Sequence, residues 1–190
     1  MSNLTLEEMQ KLIDALGGDD EARKIFSKKP ETPVSKILNG LKPNGTVTVG
    51  PLTKTFVPKD FFRDDNCDIK LYVYDSFKNR VLSSTGKVSK QPATILTSYD
   101  LTKPMYDREI RAELPENHVF AVDDLWMIPD LIKNDKLLKN SYANLFYFQV
   151  GASVFVVHVL WLDSDWDVCD WGLDEYGRWN DGRRVFSRNG

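Results

Sequence analysis

The stretch Asn144–Leu173 reads NLFYFQVGASVFVVHVLWLDSDWDVCDWGL, and its reading decides the fold. Three apolar runs are separated by Gly151-Ala152 and Asp163-Ser164, breaks with room only for tight turns between antiparallel strands. Two-residue turns there set Val150 against Ser153, Phe148 against Phe155, Phe146 against Val157 and Leu145 against His158 on the first hairpin. On the second they set Trp161 against Trp166, Val159 against Val168 and His158 against Cys169. The segment is thus expected to be a β-meander.

Side chains alternate along a strand, so these registers sort the meander into two faces. Phe146, Phe148, Phe155, Val157, Val159, Trp161, Trp166 and Val168 form one face, which is expected to be core. The other carries Leu145, Tyr147, Gln149, Val156, His158, Leu160, Asp165, Asp167, Cys169 and Trp171. It mixes an imidazole, a thiol, two carboxylates and two amphipathic aromatics, so it is either half covered or a binding surface, and it is the candidate surface for a site. A one-residue slip at Asp163-Ser164 would swap the third strand's faces and dissolve this grouping.

Outward from the meander, the chain alternates strand-like segments and turns. Thr46–Val49, Ile69–Tyr74 and Thr94–Leu101 read as strands, and in Ile69–Tyr74 the aliphatics take one face and Lys70, Tyr72 and Tyr74 the other. Asp123 is placed to cap a short helix through Leu125, Trp126, Ile128, Leu131 and Ile132, where Pro129 predicts a kink or two short pieces. A return strand is expected near Arg184–Ser187. At the N-terminus, Thr5-Leu6-Glu7-Glu8 has capping-box spacing, and Leu6, Met9, Leu12, Ile13 and Leu16 follow at helical period before Gly17-Gly18. Asp19 or Asp20 can cap a second helix that ends before Pro30. The expected organisation is a helical hairpin over 1–29, a Pro- and Gly-rich linker over 30–45 with a short helix near Ser35–Leu41, and an α+β domain over 45–190. The fold class is therefore α+β, with a largely antiparallel sheet.

Composition excludes several classes of function. With 42% hydrophobic and 28% charged residues over 190 positions, the chain is of ordinary globular type and can bury a core. A net charge of −3 offers no general attraction to phosphate backbones, so nucleic acid is not an expected partner. Arg178, Arg183, Arg184 and Arg188 lie among Asp174, Glu175 and Asp181 and read as a solvated surface. The longest apolar run, Val154–Leu162, is about half the roughly 20 residues of a membrane span. No basic and then apolar leader is present in the first residues, so the expected location is cytoplasmic, with no membrane partner. Cys67 and Cys169 lack C-x-x-C spacing and read as reduced thiols.

Chemical motifs are sparse. His158 opposite Cys169 could activate a thiolate, with Asp167 as orienting group, and this pair is the candidate catalytic site of a small hydrolase or transferase. The competing reading is packing with a satisfied ring hydrogen bond. Asp163, Asp165, Asp167 and Asp174 have a superficial calcium-loop spacing, but Val168 stands where the loop needs Gly and Asp174 where it needs Glu. Two histidines and two cysteines in all give no zinc pattern, and neither a dinucleotide fingerprint, a phosphate loop, a nucleophile elbow nor H-E-x-x-H occurs. No metal or cofactor is expected. Tyr147, Trp171 and Trp179 could form a stacking platform for a sugar, a peptide or a cation. The reading that results is a non-catalytic binding or protein-interaction module using Tyr147, His158, Asp167 and Trp171, with the Cys169/His158 enzyme as the alternative.

Tyr142-Ala143-Asn144-Leu145-Phe146-Tyr147, the aliphatic strand ending in Trp161, Trp166-Asp167-Val168 and Arg184-Val185-Phe186-Ser187-Arg188-Asn189 together resemble a family of small uncharacterised bacterial proteins. In that family Y-A-N-[IL]-F-Y opens the segment and R-V-F-S-R-N closes it. The resemblance covers the last 50 or so residues and implies no activity and no catalytic residue. Its members have a glycine-rich turn where this chain has Asp163-Ser164-Asp165, so no ligand role carries over to that turn.

Overall fold

The computed structural model describes residues 38–188. They belong to the second of two compact units, Leu38–Gly190, the first being Met1–Ile37. The helical hairpin expected over 1–29 lies outside the described residues.

Among the described residues an eight-stranded sheet is built around β6 (Asn144–Val150), which is buried on both faces from Asn144 to Phe148. It pairs antiparallel with β7 (Ser153–Leu162), and β7 with β8 (Asp165–Gly172). The registers are those the two-residue turns require: Leu145 lies opposite His158, Trp161 opposite Trp166 and His158 opposite Cys169. Gly151 supplies a positive φ of 58° at the first turn, while Asp163 and Ser164 adopt φ of 48° and 72° at the second. Left-handed geometry at both central positions matches the right-handed twist of the flanking strands.

The other edge of β6 is shared. Its first two residues pair parallel with β10 (Arg184–Arg188), and Tyr147–Gln149 pair parallel with β5 (Val119–Ala121). Beyond β10 come β3 (Thr94–Leu101) and then the edge strand β1 (Leu41–Val49), both antiparallel. At the far end β2 (Leu71–Val73) pairs parallel with β8, giving the order β1-β3-β10-β6-β7-β8-β2. The sheet is mostly antiparallel, and its three parallel pairings join segments too distant in sequence for turn signals to reveal. A small second ribbon joins β4 (Met105–Tyr106) to β9 (Arg178–Trp179).

β1 starts at Leu41, inside the stretch read as linker, and residues 38–40 are not helical. Pro43 and Gly45 belong to this strand because it is an edge strand, where a missing N–H costs no ladder bond, and the register shifts between them as in a bulge. The segment after Asp123 is two short pieces, a 3₁₀ turn (Val122–Trp126) and a helix (Met127–Lys133). Pro129 sits in the first turn of that helix, where its absent N–H has no partner to lose. The capping carboxylate is Asp124, which accepts the Ala121 N–H at 2.9 Å.

Four short helices are described: α1 (Pro58–Phe61), α2 (Asp75–Arg80), α3 (Asp107–Glu113) and α4 (Met127–Lys133). Two cores result. Phe146, Phe148, Val157, Val159, Trp166 and Phe186 meet Phe77 of α2 and Met127, Ile128 and Leu131 of α4 on the first face. Phe146 and Phe186 stack with centroids 4.8 Å apart. On the second face Leu145, Tyr147, Val156 and Val185 meet Ile110 of α3, Met105 and Trp179.

The second layer is tied down by Asp107, a fully buried carboxylate. Its Oδ1 accepts from the Tyr147 hydroxyl at 2.9 Å and from Trp179 Nε1 at 2.8 Å, and its Oδ2 from the Asp174 N–H at 2.9 Å. Burial nonetheless outweighs these donors and raises its carboxyl above the usual range. Asp107→Ala strips three buried donors of their acceptor, and urea denaturation should show a loss of about 2–4 kcal/mol. Asp107→Asn keeps one oxygen for Tyr147 and Trp179 but turns its amide toward the Asp174 N–H, so an intermediate loss of roughly 1–3 kcal/mol is expected. A loss below about 1 kcal/mol in the alanine variant would show that the carboxylate does not hold the layer.

Candidate functional site

The register divides the second face into cross-strand rows. Tyr147, Val156 and Trp171 form one row, and Leu145, His158 and Cys169 the next. Leu160, Asp167 and Tyr72 form a third, and Leu162 and Asp165 a fourth. Trp179 and α3 cover the rows over β6. Toward the Asp163–Ser164 turn, over β7, β8 and β2, the face is open: Tyr72 and Leu162 are exposed, and Leu160, Asp165 and Asp167 are half-buried.

Tyr147 is not on the open part. It is fully buried, its hydroxyl is spent on Asp107, and burial pushes its phenol well above the ordinary value. Trp179, expected in a stacking platform, is likewise interior and donates to the same carboxylate. Both corrections have one cause, a second core laid over the β6 end of a face that is expected to be either half covered or a binding surface. What remains of the platform is its rim. Tyr176 stacks on Trp179 at 4.3 Å and contacts the half-buried Trp171 at 5.7 Å.

His158 sits at the border between covered and open rows, its ring 5.7 Å from Trp179. Its Nδ1 is buried without a hydrogen-bond partner among the described residues. Burial, reinforced by the Arg183 charge, lowers its pKa to about 4, so the imidazole is neutral at neutral pH. Cys169 is its partner in register, but the thiol is engaged elsewhere: Sγ lies 3.6 Å from Ser76 Oγ and donates to the Asp170 carbonyl at 3.7 Å. Burial raises the Cys169 pKa. Both shifts oppose the thiolate–imidazolium state that a cysteine nucleophile requires.

Asp167 is half-buried, and its carboxyl is pushed up first by burial and then by the charges of Asp165 and Asp163. Asp174, fourth in the calcium-like spacing, is turned away toward Arg108 and Asp107. Among the described residues no three His, Cys, Asp or Glu side chains converge as metal ligands, and no helix is long and apolar enough to cross a membrane.

The expected site residues thus separate. His158 adjoins Cys169, Asp167 adjoins Tyr72, Trp171 lies at the aromatic rim, and Tyr147 is core. Sequence reasoning missed the pair Tyr72–Tyr74, whose rings pack edge to face at 4.9 Å. Its signal was the alternation within Ile69–Tyr74. Ser76 and Asp107 had no such signal, since their partners lie 93 residues and 40 or 72 residues away in sequence.

Two outcomes follow from this geometry. Cys67 is exposed and Cys169 buried, so a thiol reagent at neutral pH should label Cys67 rapidly and Cys169 only on unfolding. Cys67→Ser should abolish the fast phase, whereas fast labelling at Cys169 would favour the nucleophile reading. The folded-state pKa of His158, about 4, lies below the ordinary imidazole value of about 6.5, so on acidification the unfolded chain takes up this proton first. The resulting stability is complete above the higher value and is lost as pH falls toward the lower, by at most about 1.4 kcal/mol per pH unit. His158→Gln should flatten the slope by one proton in urea denaturation across that window; an unchanged slope would place the titration elsewhere.

No family model matches the chain, and neither a curated protein nor a solved structure matches it.

Proposed function

We propose that the protein is a non-catalytic binding module whose open half-face receives a polypeptide segment carrying basic and aliphatic side chains. The observation that carries this reading is the Tyr72–Tyr74 pair, 54% and 40% exposed, standing beside a carboxylate that its neighbours repel. Burial, together with the Asp167 charge, raises the Tyr74 phenol, so that ring stays neutral at neutral pH, and the exposed pair offers π-faces to a cation. A lysine or arginine placed between these rings and Asp167 would relieve the repulsion among Asp163, Asp165 and Asp167. Exposed Leu162 and half-buried Leu160 extend the patch with aliphatic surface. His158 and Trp171 border it, the first as a neutral ring and the second as part of the aromatic rim. The net charge of −3 and the acidic face both disfavour a nucleic-acid partner.

Fluorescence polarisation with short labelled peptides tests the reading. Peptides rich in Lys, Arg and Leu should bind, and acidic peptides of equal length should not. Asp167→Asn should weaken binding about tenfold and, by removing a repelled carboxylate, raise the melting temperature at neutral pH. Paired substitution of Tyr72 and Tyr74 by Ala should abolish binding while leaving stability within about 0.5 kcal/mol, as expected at exposed positions. Failure of every basic peptide below about 1 mM, or full binding by the double variant, would overturn the proposal.

A further inference from the structure

A second concave feature lies on the opposite side of the β7–β8 hairpin, since Trp161 and Trp166 point to the first face and Asp167 and Tyr72 to the second. It is a cleft of about 440 Å³ bounded by residues 68–70, the end of α4, the loop after it and the β7–β8 turn. That volume is within the range of small-molecule sites. We infer that this cleft binds an anionic sugar, whose ring packs against the indole of Trp161 and whose phosphate or carboxylate lies among Lys133, Lys139 and, at the rim toward Asp165, Lys70.

Three arguments support the inference. The first is the aromatic floor. Trp161 and Trp166 meet at 5.1 Å with planes 64° apart, and Trp166 is buried while Trp161 is half-buried. One indole is thus a support for the other, whose half-buried ring, with the Lys139 ammonium over it, leaves apolar edge surface for the C–H face of a pyranose ring.

The second is the charge. Three lysines from separate segments line one cleft. Lys139 Nζ stands over both indoles, 5.3 Å and 5.9 Å from the ring centroids. Lys133 and Lys70 are 50% and 80% exposed and approach Asp68 and Asp165 only to 3.7 Å and 3.8 Å. Exposed pairs at such distances contribute little to stability, so an anion can take over the ammonium groups of Lys70 and Lys133 at small cost, whereas Lys139 is closely ion-paired with Asp135. The Asp68 carboxylate, the Asp135 oxygen not taken by Lys139 and the Ser164 hydroxyl, which share the lining, are acceptors for sugar hydroxyls. Indole, acceptors and ammonium groups in one cleft match a ring that carries both hydroxyls and an anionic group, and no simpler ion uses all three.

The third is the backbone. Asp135 and Ser164 line the cleft and hold φ of 52° and 72°, with Asp163 beside them at 48°. At Asp163-Ser164 this is the geometry of the hairpin turn, and it sets the Ser164 hydroxyl at the rim of the cleft, with Asp135 at the far side. At the turn, glycine would have been the relaxed choice; serine keeps a hydroxyl at the rim.

Isothermal titration and tryptophan emission on the full chain test the inference with four probes: glucose 6-phosphate, glucuronate, glucose and inorganic phosphate. At least one anionic sugar should bind about tenfold or more tightly than glucose or inorganic phosphate. The one that binds identifies the phosphate or the carboxylate as the anion. The double substitution Lys70→Gln with Lys133→Gln, at exposed positions where folding is not at risk, should weaken that binding about tenfold or more. Lys87→Gln with Lys90→Gln, exposed and outside the lining, should leave it unchanged. No binding of either anionic sugar at about 10 mM, equal binding of inorganic phosphate alone, or equal weakening by the control pair would overturn the inference. The tyrosine double variant at the opposite face should bind the sugar normally, so failure at one site is distinguishable from failure at the other.

Discussion

Burial of β6 on both faces is the constraint on which the rest of the structure depends. Asn144, Leu145, Phe146, Tyr147 and Phe148 are all interior, so this strand needs a partner along each edge and a layer over each face. A buried strand cannot leave backbone donors and acceptors unpaired. β7 answers along one edge; on the other, β10 and β5 divide the length between them. The first polar residue of the strand is handled in the same way. Asn144 Oδ1 accepts the Leu138 N–H at 2.9 Å, and its Nδ2 donates to the Val159 carbonyl at 3.0 Å.

Two layers follow from two apolar faces, and they differ in kind. The first is largely hydrocarbon and aromatic, with α4 and the phenylalanines around α1 and α2 laid across it. The second is smaller and is anchored by a polar device, the Asp107 carboxylate under Tyr147 and Trp179. A buried carboxylate with three donors fixes the positions of its partners more narrowly than apolar contact does, because each hydrogen bond has a direction. That layer reaches Trp171 at the far end of β8 but stops short of the Asp163–Ser164 end of β7 and β8 and of β2. The boundary leaves His158 at its margin and Asp167, Tyr72 and Tyr74 beyond it, so the open surface is defined by where the second core ends.

The legibility of these features varies with the range of the interactions that make them. The registers of Leu145 with His158 and of His158 with Cys169 are readable because two-residue turns admit few alternatives and a slip at the second turn would move Trp166 to the open face. The strand at Thr94–Leu101 was readable from its alternation. The start of β1 at Leu41 was hidden by Pro43 and Gly45, whose tolerance depends on the strand lying at an edge. The Tyr147 misreading is of the same kind: a tyrosine on an otherwise mixed face is ambiguous until the residue that covers it is known, and Asp107 is 40 positions away. The two tryptophans of the cleft were read correctly as core-facing, while the lysines that turn their rim into a charged recess come from segments with no local relation to them.

By itself, the sequence determined the α+β class, the periodicity of the strands, the two faces of β6–β8 and the juxtaposition of His158 with Cys169, because each of these follows from local turn geometry and side-chain alternation. Only the tertiary structure decided which face stays open, that Tyr147 and Trp179 serve a buried carboxylate, that the Cys169 thiol answers to Ser76, and that Lys70, Lys133 and Lys139 surround Trp161. The physical reason is that burial, hydrogen-bond partnership and charge are properties of a neighbourhood in space, and the parallel pairings of β2, β5 and β10 assemble those neighbourhoods from segments that no short-range pattern connects.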